Sequence, residues 1–323
     1  MPAGPAPQQT PLKEGLAMKT ALTGLLCFLL LPAAAQPPQA NAPEFIREGQ
    51  KLVRAGQLAD ALLLYQREIE KNPANTAALN AAGVVLDLLG RTAEARQYFQ
   101  KSADAAPDAQ TRAVAWRQMS MSYAFDNDCA NSARYGRMLY DYWLERGNHY
   151  AAGEAANEVA RVCIEAGALD EAEKLYRMGT EAGLKEPNIS QDRQALWMFR
   201  MEHALARLAA RRGQKDAALR HMASAKALLD AHPEMAKQQQ PFFPYLAGYV
   251  ALYLGDAQGA LEHLRQANQN DPFIQCLMGM AHEKLGQKEE AMACYRRASQ
   301  TTGHNPPAAF ARPFAQKKLG MRP

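Results

Sequence analysis

Residues 42–109 contain one stretch of 34 residues written twice. Gly49, Gly56, Ala61, Tyr65 and Pro73 return 34 positions later as Gly83, Gly90, Ala95, Phe99 and Pro107. A fixed period of this length specifies stacked supersecondary units in place of one closed core. The first glycine of each copy lets two helices approach closely, and the second permits the tight connection between them. The alanine marks their crossing and the aromatic fills the gap beside it. The proline stops the second helix, having no N–H to donate and clashing with the preceding turn.

This pattern resembles the tetratricopeptide repeat (TPR), a helix–turn–helix of that length, with five positions agreeing in register across adjacent units. A third unit carries Trp116, Met119, Ser120 and Tyr123 at the spacing W-x2-L-G-x2-Y of the family's first helix. One extra loop residue is expected in its second half, bringing Ala133 to the crossing. The fourth reads Ala160, Gly167, Ala172 and Tyr176, the fifth Gly213 and Ala218. The sixth reads Gly248, Gly255, Ala260 and Pro272, and the seventh Gly279, Gly286, Ala291 and Tyr295. The expected fold class is all-α: a right-handed superhelix, or α-solenoid, of about seven helix–turn–helix units. Units are placed near 42–75, 76–109, 113–150, 153–186, 194–232, 241–271 and 272–302. Residues 184–192 and 230–241 read as breaks. A terminal helix in 303–323, interrupted or restarted at Pro313, is expected to cap the last unit, which would otherwise expose an apolar face.

Residues 1–35 read as an N-terminal extension and a signal peptide. Met18-Lys19, the apolar run from Leu22 to Leu31, and Pro32-Ala33-Ala34-Ala35 form a basic start, a short apolar core and an A-x-A ending. The reading takes Met18 as the start, cleavage after Ala35 and a linker over 36–41. It places the protein outside the cytoplasm, periplasmic or secreted, with no stable membrane insertion after cleavage. Leu26 before Cys27 argues against a lipobox. Losing Lys13, Glu14 and Lys19 takes the net charge from +4 to +3, too mild to imply nucleic acid. Of the remaining cysteines, Cys129, read in the turn of the third unit, and Cys163, near the end of the first helix of the fourth, fall at points that stacked units bring near each other. Whether they pair or stay as thiols is open at this stage.

No G-x-x-x-x-G-K-[ST], G-x-G-x-x-G or G-x-S-x-G occurs, and His282-Glu283 lacks the second histidine of a zinc-protease helix. No cofactor, metal site or catalytic residue is expected, and the acidic side chains read mostly as solvated outer faces. The resemblance implies a concave face lined by the first helices, where peptides lie. Its inward positions map to Asn80, Arg117, Asn157, Arg161, Arg200, His203, Arg207, Phe242, Tyr245 and Tyr249. The Lys/Asn set that binds terminal carboxylates in co-chaperone members does not carry over, since Ile46, Gln50 and Val84 stand at its places beside Asn80. The reading is a non-enzymatic scaffold holding an acidic, extended peptide or protein segment, acid towards units 3–5 and an apolar anchor towards unit 6. Its rivals are an envelope assembly factor acting through the convex face, and an all-helical hydrolase or transferase of envelope polymer.

Overall fold

The computed structural model describes residues 42–321. The extension, signal sequence and linker read in residues 1–41 lie outside it. Among the described residues there are α-helices, one 3-10 turn and no strands. The helices pair in chain order: α1 (Glu44–Arg54) with α2 (Leu58–Lys71), α3 (Thr76–Leu88) with α4 (Thr92–Asp104), α5 (Ala109–Phe125) with α6 (Cys129–Glu145), and α7 (His149–Glu165) with α8 (Leu169–Leu184). Then α9 (Gln191–Arg211) pairs with α10 (Lys215–Ala231), α12 (Phe243–Tyr253) with α13 (Ala257–Leu264), and α14 (Pro272–Lys284) with α15 (Lys288–Ser299). Between α10 and α12 lie a short α11 (Pro233–Gln239) and the 3-10 turn Gln240–Phe242. The glutamine-rich stretch read as a break is thus helical, because Pro233 occupies a first-turn position where its missing N–H costs nothing.

Curvature follows from which helices adjoin. The first helix α1 touches α3, α3 touches α5, α9 touches α12 and α12 touches α14. No second helix is in comparable contact with the next second helix. The first helices therefore lie on the tighter, inner side of an α-solenoid, and the second helices form its outer wall. Ala61, Ala95, Ala172, Ala218, Ala260 and Ala291 are fully buried, each five residues after a glycine in the left-handed conformation.

The third pair departs from its expected register. Asn127 (φ 59°) takes the place of the turn glycine, which a short polar side chain tolerates better than most. No extra loop residue is needed, so the crossing residue is Ser132 and not Ala133. Ser120 approaches it from α5, its hydroxyl 3.0 Å from both the Ser132 hydroxyl and carbonyl. The place held by Tyr65 and Phe99 is Gly136 here, and Val159 of α7 fills the space. Cys129 is consequently the first residue of α6 and lies not in the turn. It is bonded to Cys163 on α7, with Cα atoms 4.8 Å apart. Cys276 and Cys294 are buried thiols.

The last helix, α16 (Pro306–Lys318), runs unbroken through Pro313. It caps α14 and α15, packing Ala311, Ala315 and Phe314 on Cys276, Ala291 and Tyr295. It also turns inward and reaches α5 and α7 on the inner side of the superhelix. His304, just before it, is 2.8 Å from the buried Asp87 carboxylate of α3, and Arg312 Nε donates to the Leu88 carbonyl at 2.8 Å. The end of the solenoid is fastened to its second and third helix pairs.

Candidate functional site: the inner face of α5, α7, α9 and α12

The inner face is built from two charged stripes on neighbouring first helices. On α7, Glu154, Glu158, Arg161 and Glu165 recur at i, i+4, i+7 and i+11, one face of a helix. On α9, Arg200, His203, Arg207 and Arg211 recur at i, i+3, i+7 and i+11. The stripes meet as ion pairs. Arg200 bonds Glu154, and Arg211 Nη1 lies 3.0 Å from Glu165 Oε2. From α5, Arg117 forks onto Glu158, with Nε 3.0 Å from Oε2. Five guanidinium groups, of residues 117, 161, 200, 207 and 211, thus face three bonded carboxylates, with a fourth, Asp271, near Arg161.

Burial grades this row. Glu165 has a side chain only 7% exposed and accepts a 2.9 Å bond from Tyr249 Oη as well as the Arg211 contact. Burial pushes its carboxyl up, while Arg211 and Arg207 draw it back down. Arg207 donates to Tyr176 Oη at 2.8 Å and to Tyr245 Oη at 3.1 Å. His203 is buried beside it and held well below the ordinary imidazole range by burial and by the charges of Arg207 and Arg161, so its ring is neutral at pH 7. Burial pushes the Tyr245 phenol up to about 12. Arg161 is half-buried and, among the described residues, makes no hydrogen bond or ion pair with another side chain. Its charge is felt by Glu154, His203, Tyr245 and Asp271.

Beyond the arginines stands an aromatic wall. Tyr245 and Tyr249 sit 6.0 and 6.3 Å from the Phe273 ring of α14, and Phe310 of α16 closes on Phe273 at 5.2 Å. Phe242, in the 3-10 turn, is half-buried and presents its carbonyl to His203.

The structure therefore brings Arg117, Arg161, Arg200, His203, Arg207, Tyr245 and Tyr249 to one face and separates two others from it. Asn157 is turned into the α7–α8 interface, its Oδ1 against Gly179. Asn80 lies on α3, its Oδ1 buried without a partner among the described residues. His203, Arg207 and Tyr249 are buried, and none of the ten residues is freely exposed. The glutamates were read as solvated outer charge, and three of them in fact supply the counter-charges of the arginines. Their spacing on α7 was the available signal. The repeat pattern gave Asn157 as the inward residue of α7, whereas its neighbour Glu158 is the one that meets an arginine.

Two family models for the tetratricopeptide repeat match, one over residues 46–110 and another over 274–301. The chain contains tetratricopeptide repeats. The matched TPR segments are the regular ends of the array, α1–α4 and α14–α15. The middle repeats have helices of up to 21 residues and, at residue 127, no turn glycine. Among solved structures, a tetratricopeptide repeat protein from Parabacteroides merdae is similar at 17% identity and a TM-score of 0.47, covering 85% of this chain and 98% of that one. The P58(IPK) TPR domain is similar at 13% identity and a TM-score of 0.22, covering 85% and 97%. No curated protein matches the chain. Among the described residues no helix is long and apolar enough to cross a membrane, and no cluster of three His, Cys, Asp or Glu side chains could hold a metal ion.

Proposed function

We propose that this TPR protein is an exported, non-enzymatic scaffold whose inner face engages an acidic, extended segment of a protein partner. The observation that carries the reading is the charge imbalance of that face, five guanidinium groups against the three carboxylates bonded to them and Asp271 near Arg161, with Arg161 itself making no ion pair among the described residues. Guanidinium pairs with carboxylates by short, charge-assisted bonds, so an acidic segment can take Arg161 and exchange for Glu154 and Glu158 on Arg200 and Arg117. These two pairs are partly exposed. Arg207, Arg211, Glu165 and Tyr249 lie deeper and hold the wall in place.

A glutamate-rich peptide carrying a fluorophore tests this on the full chain. Replacing Arg161 and Arg200 together by alanine is expected to weaken binding at least about tenfold, a loss of roughly 1.4 kcal/mol. Replacing the exposed Arg137 and Arg177 of the outer helices should leave it unchanged. Binding should also fall as salt rises, because part of the attraction is screened. Equal losses from the two pairs would move the site to the outer wall and favour the assembly-factor reading. The presence of α16 on the inner face speaks for that alternative.

Export rests on the signal-like residues 18–35 and on the Cys129–Cys163 bond, since disulfides persist in oxidising compartments and are rare in reducing ones. Amino-terminal sequencing of protein from its native host is expected to begin at Gln36. A chain retaining Met18 and carrying four free thiols would overturn it.

A further inference from the structure

The two sides of α16 are chemically unlike. Towards its own repeat it is aromatic and apolar: Phe310 closes on Phe273, Phe314 on Tyr295, and Ala311 and Ala315 bury against Cys276. Lys318 adds a bridge to Glu283. Towards the early repeats it offers little apolar area. Ala309 is its one residue within the core cluster that runs through α2–α5 and takes in Tyr135 and Val162, and the other contacts are one ring and several polar groups. His304 is held between the Phe99 and Phe125 rings with its Nε2 on Asp87, whose other oxygen accepts from Ser122 Oγ at 2.8 Å. Arg312 spans the divide. Its Nε takes the Leu88 carbonyl at the end of α3, and its Nη1 takes the Ser299 and Thr301 carbonyls beside α16.

Apolar burial is worth about 25 cal/mol per Å2, so a face that buries an alanine methyl and one imidazole ring is held more weakly than one that packs two phenylalanines and two alanines. The polar contacts are partly replaced by water on parting, a typical hydrogen bond stabilising by about 1 kcal/mol net and one to a charged group by about 1.5–3 kcal/mol. If the closed chain parts anywhere along α16, it parts from α3, α5 and α7 while α16 stays on α14 and α15. The parted line lies beside α5 and α7, which carry Arg117 and Arg161.

We propose that α16 is a clasp regulating the inner face: it releases α3, α5 and α7 as a unit with the last repeat, and the released form is the one that admits an acidic segment to Arg117, Arg161 and Arg200. The clasp rests on the reading of the inner face given above. In the closed form Phe310 already occupies the aromatic end where the apolar anchor of a ligand was expected, and α16 bridges α14 to α5 and α7. Opening and binding are then linked. The apparent affinity is the intrinsic one reduced by the open fraction, and a ligand of the open form must in turn enlarge that fraction.

The test uses the full chain with spin labels on cysteines placed at the exposed positions Arg112 of α5 and Lys317 of α16, the native Cys276 and Cys294 being buried. Two clasp variants are compared with the parent, His304→Ala with Arg312→Ala, and the near-isosteric Asp87→Asn, which guards against misfolding. The parent is expected to give one short distance. Both variants should add a longer population and bind the glutamate-rich peptide at least about tenfold more tightly. Peptide added to the parent should populate the longer distance. A parent that binds through Arg161 and Arg200 with affinity equal to that of the opened variants would overturn the clasp and leave the binding reading standing. Opened variants that, like the parent, bind no peptide would overturn both. Distances that do not lengthen in either variant would also end the proposal.

Discussion

Glu165→Ala is expected to destabilise the protein by about 3–5 kcal/mol, the range for removing one partner of a buried charge pair. Three groups depend on this carboxylate: Arg211 at 3.0 Å, the Tyr249 hydroxyl at 2.9 Å, and the nearby charge of Arg207. Arg207 itself bonds only hydroxyls and a carbonyl, and Glu165 is a carboxylate whose charge acts on it. Alanine would leave two guanidinium groups facing each other in a poorly solvated space. Denaturant unfolding reads the loss as a lower midpoint. Glu165→Gln separates charge from hydrogen bonding, since the amide oxygen still accepts from Tyr249. A carboxylate that works by its charge predicts a large loss in the glutamine variant too, whereas a protonated one predicts almost none.

Trp197→Ala should cost a similar amount, about 3–5 kcal/mol for a fully buried large aromatic. The indole lies in a cradle made by two glycines. A Cβ on Gly183 would come within 1.9 Å of its ring, and one on Gly153 within 2.6 Å. Removing the side chain opens a cavity that α8 and α9 can close only by moving together. Part of the cost is returned, because the indole N–H has no acceptor among the described residues and an unpaired buried donor is itself unfavourable. Trp197→Phe, which drops that N–H and keeps most of the volume, is expected to lose less. The consequence reaches the inner face, because the Arg200 guanidinium sits 5.1 Å from the indole and loses its platform. Thermal unfolding and peptide affinity measured on one sample would show both effects. A Trp197→Ala protein with unchanged midpoint would mean that the cradle is loose.

The pitch of the array was legible because it rests on local chemistry: a residue that tolerates positive φ, then a small one five positions later. That rule even covers the third pair, provided asparagine and serine are admitted in place of glycine and alanine. Reading only for alanine shifted the crossing to Ala133 and displaced Cys129 into the turn. The arginines of the inner face could likewise be read from periodicity. Their partners could not, because the inward positions carried over from the repeat pattern take Asn157 and Arg161 on α7 and pass over Glu158 and Glu165 beside them. The inward fold of α16 was beyond periodicity altogether. It depends on His304 meeting Asp87, a pairing between residues 217 apart in the chain, and no local pattern encodes such a pair.

That long-range pairing alters how the molecule must come apart and come together. An open array of repeats behaves as a one-dimensional chain of nearest neighbours, able to fray from either end while its middle stays folded. Fastening Arg312 to Leu88, 224 residues earlier, joins the last repeat to the second and third, so fraying at one end is felt at the other. While the clasp is closed, unfolding should be more concerted than in an open array, by no more than the free energy of the closing contacts. Folding acquires the opposite burden. The closing contact pays the entropy of bringing together segments more than 200 residues apart, and that payment falls due only after the intervening repeats have shortened the path. During synthesis the α3–α5 edge emerges long before its counterpart exists, and for that interval Asp87 waits without His304.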